Sequence, residues 1–142
     1  MSLRTVIDAD GLILGRMASI VAKRLLNGES IDILNAQNVV ISGQRMNLVT
    51  EWKEFLKVGG RDKGPRHYRL PNMLVRKTVR GMLPCRIPKG MKAFRRLHVY
   101  IGVPDEFATA DKQRIPEAES SRLNRRFVKI GDLAESIGWN KK

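Results

Sequence analysis

A single cysteine, Cys85, stands in this 142-residue chain. That excludes an internal disulfide and any zinc site built from several thiolates, and it predicts a reducing compartment. Aromatic residues are scarce, at 6%, too few for the series of exposed rings on which a single strand of nucleic acid stacks. No uncharged run approaches the roughly 20 residues that cross a bilayer, so no membrane is expected. The start of the chain lacks the apolar stretch and small-residue cleavage pattern of a secretory signal. These absences predict a cytoplasmic protein. Acids are also in short supply, 14 against 27 lysines and arginines, for a net charge of +13.

The excess charge is unevenly placed. Arg61 to Arg96 holds twelve lysines and arginines and one acid, Asp62, while the remainder of the chain is nearly balanced. A balanced body with a strongly basic insert points to a polyanionic partner, of which nucleic acid is the commonest. The length suits a single domain, 1–142, with a real core. A hydrophobic content of 42% and the spread of acids outside the insert exclude a wholly disordered basic tail.

The first third reads as a compact α/β unit. Thr5-Val6-Ile7 is a short strand, Asp8-Ala9-Asp10-Gly11 a turn, and Leu14, Met17, Ala18, Val21 and Leu25 recur at helical spacing up to an Asn27-Gly28 stop. Ile31 to Leu34 and Val39 to Ile41 are β-branched runs, the second read as buried on both faces. Strand, helix and strand within about thirty residues predict a parallel βαβ unit. A helix over Asn47 to Val58 carries Leu48, Trp52, Phe55 and Leu56 on one side.

The pattern changes at Gly59-Gly60. Residues 59–72 combine glycine, proline and four cations without periodicity, so they read as a loop that orders on binding. Met73 to Met82 is again helical, with Leu74, Val75, Thr78, Val79 and Met82 on one half of the wheel and Arg76, Lys77 and Arg80 on the other. Pro84 bounds it. Arg86 to Arg96 is a second, partly helical basic segment that leads into Leu97-Val99-Ile101, an alternating strand. Phe107 to Asn124 reads as polar loop. Phe127-Val128 is extended, and Ile130, Leu133, Ala134 and Ile137 mark a short amphipathic helix.

Catalytic constellations are thin. Gly11-x-x-x-Gly15-Arg16 lies between strand and helix, where backbone N–H groups favour an anion, but it lacks the Lys-Ser/Thr of a P-loop and the three glycines of a dinucleotide turn. It reads as a structural turn from which Arg16 can reach a phosphate. His98, inside a strand, reads as a packed or partner-facing ring. His67 and Tyr68 between Arg66 and Arg69 suit stacking and phosphate contact as well as they suit a solvated loop. Asp62 and His67 together supply too few ligands for a metal nuclease. No cofactor, metal, catalytic residue or small-molecule substrate is expected. Two other classes remain open: a small phosphate-substrate enzyme using Asp8 or Asp10 near the glycine turn, and a free regulatory RNA- or DNA-binding protein.

Residues Val6 to Ser19, Val39-Val40-Ile41-Ser42-Gly43, Arg76-Lys77-Thr78-Val79-Arg80-Gly81-Met82-Leu83-Pro84 and Leu97-His98-Val99-Tyr100-Ile101-Gly102 closely resemble successive motifs of the large-subunit ribosomal protein thirteen family. The resemblance runs from about Val6 to Pro104 and resumes weakly over Phe127 to Gly138. Pro65-x-His67-Tyr68-Arg69 is more similar to the archaeal and eukaryotic branch than to the bacterial one. The resemblance implies a three-layer α/β/α fold with a small, mainly parallel sheet and a basic loop-helix insert over about 59–96. It also implies a structural, non-enzymatic role: binding large-subunit ribosomal RNA, beside neighbouring large-subunit proteins, and supporting assembly of the subunit. The contacts it implies are Arg16, then Arg61, Lys63, Arg66, His67, Tyr68 and Arg69, then Arg76, Lys77 and Arg80, and finally Arg86, Lys89, Lys92, Arg95 and Arg96. Cys85-Arg86-Ile87 departs from the family, which more often has an aromatic or His followed by lysines there. The end at Lys142, without the extension typical of eukaryotic members, points to an archaeal source.

The residues alone support the same reading. Phosphate contacts supply affinity with little sequence information, and the signal is Lys and Arg with few rings. Recognition of folded RNA by shape and backbone is expected.

Overall fold

Alternating β-branched residues place two strands early in the chain. Arg4–Asp8 forms β1 and Ser30–Leu34 forms β2, paired in parallel from Arg4 opposite Ser30 to Asp8 opposite Leu34. The computed structural model describes residues 4–58 and 67–140. Between the two strands runs α1, Leu14–Leu26, which buries Met17, Ala18, Val21, Ala22 and Leu25 along one stripe. The predicted βαβ unit is therefore present. Gly28, at φ +101, reverses the chain after the helix, a conformation open to glycine at little cost.

Leu97–Val99 forms β4 and pairs with the other edge of β2, Ile31 opposite Leu97 and Ile33 opposite Val99. The order β1-β2-β4 is wholly parallel. Alternation sorts the side chains between two faces. Ile7, Ile31, Ile33, Leu97 and Val99 join the core cluster with Met17, Val21 and Leu25 of α1. On the opposite face Asp32, only 1% exposed, accepts a hydrogen bond from Arg4 Nε at 2.7 Å. The Arg4 guanidinium lies 5.5 Å over the Phe107 ring, which tilts against Tyr100 at 5.3 Å. A single turn, Asp105–Phe107, thus sets Phe107 over the Arg4 part of this face. His98, on the same strand face, is exposed.

Two further helices pack on α1: α3, Pro71–Gly81, and α4, Pro88–Arg95. α3 begins with Pro71 at its first turn, where the missing N–H costs nothing, and it stops before Pro84. Gly90 is fixed by close approach, because a Cβ there would collide with the carbonyl of Pro84. Val40–Ser42 (β3) and Phe127–Lys129 (β5) form an antiparallel pair, and Ile130–Ser136 (α5) follows directly. The mixed α/β class and the mostly parallel sheet agree with the sequence reading.

Three local expectations change. β3 is not buried on both faces: Val40 is buried, Ile41 partly and Ser42 exposed, because it pairs with β5 outside the parallel sheet. The helix expected over Asn47 to Val58 is α2, Arg45–Lys57, and none of its side chains is fully buried. Its Phe55 stays 50% exposed. Residues 107–124 are not merely loop. Gln113 exchanges backbone hydrogen bonds with the β1 edge, at 2.8 Å to the Val6 carbonyl and 3.0 Å from the Asp8 N–H. Phe107, Ile115 and Ala118 are buried, so the segment is tied down along its length.

Candidate nucleic-acid interface

Helical spacing puts the α3 side chains to two uses. Val75 and Val79 are buried against the core, while Arg76, Lys77 and Arg80 are exposed. On α4, Ala93 faces inward, whereas Lys89, Met91, Lys92 and Arg95 remain exposed, as does Arg86 before the helix. Among the described residues no carboxylate lies within ion-pair distance of any of these cations. Arg76 instead places its guanidinium carbon 4.3 Å from the centroid of Phe94, and Lys77 its ammonium 4.7 Å from that of Phe55. Between α3 and α4 opens a cleft of about 360 Å³ lined by Tyr68, Arg76, Arg80, Cys85, Met91, Phe94 and Arg95.

The remaining expected contacts are dispersed. Arg16 is exposed on the first turn of α1. Tyr68 is 37% exposed and lines the cleft. Arg69 runs beside Gly138, past the end of α5. His67 turns inward: its Nε2 donates to the Val58 carbonyl at 2.7 Å, and its ring meets Phe55 edge-on at 4.4 Å. Arg96 is drawn away from the cluster, its guanidinium donating to the carbonyls of Leu25 and Glu29. A cation on the last carbonyls of a helix is favoured by the helix dipole, so Arg96 helps hold α1 against β2. Arg61, Lys63 and Arg66, with most of the expected 59–72 loop, lie outside the described residues. From sequence, Met91 and Phe94 mark only the helical part of the second basic segment, with no site role. The one aromatic inside the second basic helix was the available signal.

The glycine turn is closed by internal bonds. The Gly11 N–H donates to the Asn38 carbonyl at 3.1 Å, the Ile13 N–H to that of Ala118 at 2.6 Å, and Gly11 itself takes φ +75. Asp8 accepts from Asn35 Nδ2 at 2.9 Å and from the Asp10 N–H at 3.1 Å. Arg114 grips Glu119 through Nε at 2.8 Å and through its terminal nitrogen at 3.0 Å, and donates to the Asp10 carbonyl at 2.7 Å. This hydrogen bonding raises the Arg114 pKa and holds the Glu119 carboxyl below its usual range. Asp32 likewise raises that of Arg4, and burial raises that of the Tyr100 phenol. An enzyme built on Asp8 and this turn would first have to break these contacts.

Fold and site together describe a small α/β protein in which three arginines around the sheet end on carboxylates, while the cations of α3 and α4 stand exposed without one among the described residues. Residues 3–106 match the model of the family described as Ribosomal protein L13. The chain is 42% identical to the large ribosomal subunit protein uL13 of Methanopyrus kandleri, covering 95% of this chain and 87% of that protein. It is 44% identical to the protein of that name from Methanococcoides burtonii, over 94% and 97%, and 38% identical to the one from Aeropyrum pernix, over 94% and 89%. The chain belongs to the ribosomal protein L13 family. Its similarity to archaeal members agrees with the branch read from the sequence. Among the described residues no helix is long and apolar enough to cross a membrane.

Proposed function

We propose that this chain is a structural constituent of the large ribosomal subunit, in the cytoplasm, that binds large-subunit ribosomal RNA and supports assembly of the subunit without catalysing a reaction. The observation that carries the reading is the row of cations on α3 and α4 with no carboxylate partner among the described residues. Membership of a ribosomal protein family supplies the context. Arg76, Lys77, Arg80, Arg86, Lys89, Lys92 and Arg95 are the phosphate contacts, with Arg16, Arg69 and Tyr68 at the margins, and Arg61, Lys63 and Arg66, outside the described residues, adding to them. His67 and Arg96 act through positioning, since both are already bonded within the fold. Neighbouring large-subunit proteins complete the set of partners.

The test is salt dependence on an archaeal large-subunit ribosomal RNA transcript. If about 6–10 phosphates are neutralised, affinity falls about a thousand- to a hundred-thousand-fold between 50 and 200 mM salt. A nearly flat log–log plot overturns the assignment of the basic face. Co-sedimentation with large subunits at high salt separates a ribosomal constituent from an RNA-binding protein that acts elsewhere.

A further inference from the structure

A surface that only touches phosphates has no use for exposed apolar groups, yet the cleft between α3 and α4 has them. Its floor is the half-buried ring of Phe94, and Met91 on its rim is 46% exposed. The Arg76 guanidinium lies over that ring at 4.3 Å. Tyr68 contributes a second ring, and Arg80 and Arg95 bring two cations to the edge. A guanidinium over an aromatic ring forms a planar, polarisable platform, the surface on which an unstacked RNA base settles. The volume, about 360 Å³, falls within the range of about 300–1,000 Å³ typical of small-ligand sites. A paired helix cannot insert a base into such a recess. A single nucleotide turned out of the stack can, with its flanking phosphates reaching Arg80 and Arg95.

We propose that this cleft receives one extruded base of folded ribosomal RNA, so that the protein distinguishes RNA carrying an unpaired nucleotide from a continuous duplex. The proposal rests on the RNA-binding reading above and adds a discriminating element to it. It also places the scarce aromatic residues. One ring pair cannot form a single-strand platform, but it is enough for one base.

Two RNA hairpins test it, identical except that one carries a single unpaired purine in mid-stem. Binding of the whole protein to each is followed by fluorescence anisotropy over a range of salt. Stacking of one base is worth roughly a 5- to 150-fold preference for the bulged hairpin. Phe94→Leu keeps apolar bulk against the core but removes the ring face, so the preference collapses while paired-hairpin affinity and salt slope persist. Phe94→Trp retains the preference. Tyr68→Leu, on an exposed side chain, weakens it without the folding risk that attends a half-buried residue. Equal affinity of the unaltered protein for both hairpins, with a steep salt slope, overturns the base site and leaves the phosphate reading intact. Loss of both hairpins alike in Phe94→Leu also overturns it. Absence of salt-dependent binding to either hairpin overturns both proposals.

Discussion

Two sets of arginines divide the molecule. Arg4, Arg24 and Arg114, around the sheet, each end on a carboxylate: Asp32 at 2.7 Å, Glu29 at 2.9 Å and Glu119 at 2.8 Å. Arg76, Arg80 and Arg95, on α3 and α4, end on rings or in solvent. The residue type is the same, but the surroundings differ. Around the sheet, Asp32 reaches Arg4 across twenty-eight residues. Glu29 and Glu119 each lie five residues from their arginines, which reach on to Thr5, Gln113 and the Asp10 carbonyl and so tie segment to segment. On the helices, like charges stand beside one another with no carboxylate in reach among the described residues, which opposes the compact state. Net charge alone does not separate the two sets. Pairing does.

The strongest way to break this division is to remove the open set. With Arg76, Lys77 and Arg80 all changed to Gln, RNA affinity should fall by well over tenfold and the salt slope become shallower by about three. The melting temperature should move by only a few degrees, since exposed substitutions each cost less than about 0.5 kcal/mol and the contacts to Phe94 and Phe55 are worth about 0.5–1 kcal/mol at exposed sites. Anisotropy and thermal melts check both halves. Unfolding with RNA binding retained would move these cations into the closed set.

A smaller effect should come from the other face of the same helix. Val79 is fully buried, so Val79→Ala should cost about 1–3 kcal/mol through a cavity, measured by urea denaturation. Binding per folded molecule should stay unchanged. A change in salt slope here would mean that the two faces of α3 are not independent.

The smallest effect belongs to the closed set. The Glu119 carboxyl is held below its ordinary value of 4.5 by its hydrogen bond from Arg114. A carboxyl depressed in the folded state stabilises above its unfolded pKa, and that contribution is lost as pH falls through the folded value. Glu119→Gln should therefore cost at most about 1 kcal/mol near neutrality, as a partly exposed pair does. It should also soften the loss of stability below pH 4.5 and leave RNA affinity untouched. Altered RNA binding would show that the pair is not purely internal.

Where periodicity and burial coincide, the sequence was readable. The β1–α1–β2 unit follows from strand and helix spacing, and the two faces of α3 separate as Val75 and Val79 against Arg76, Lys77 and Arg80. What escaped was decided at long range. The register of Gln113 on β1 depends on backbone groups, which leave no side-chain pattern, although Phe107, Ile115 and Ala118 were apolar signals in a polar stretch. The apolar side of α2 was visible but its incomplete covering was not, because that depends on which elements reach it. Arg96 looks like its basic neighbours, and only the placement of β4 beside β2 brings it to the end of α1. Phe94 gained meaning only when α4 was set against α3.

The pairing of β4 with β2 also sets an order of events in time. Leu97 must find Ile31 across the whole stretch that contains α2, α3 and α4, a closure of high contact order that slows folding. α3 and α4 lie between these two strands in the chain and pack on α1. A nascent chain released short of Val99 would carry all twelve cations of the basic stretch before its last parallel strand is made. It would lack the strand against which α3 and α4 rest, until the third strand arrives.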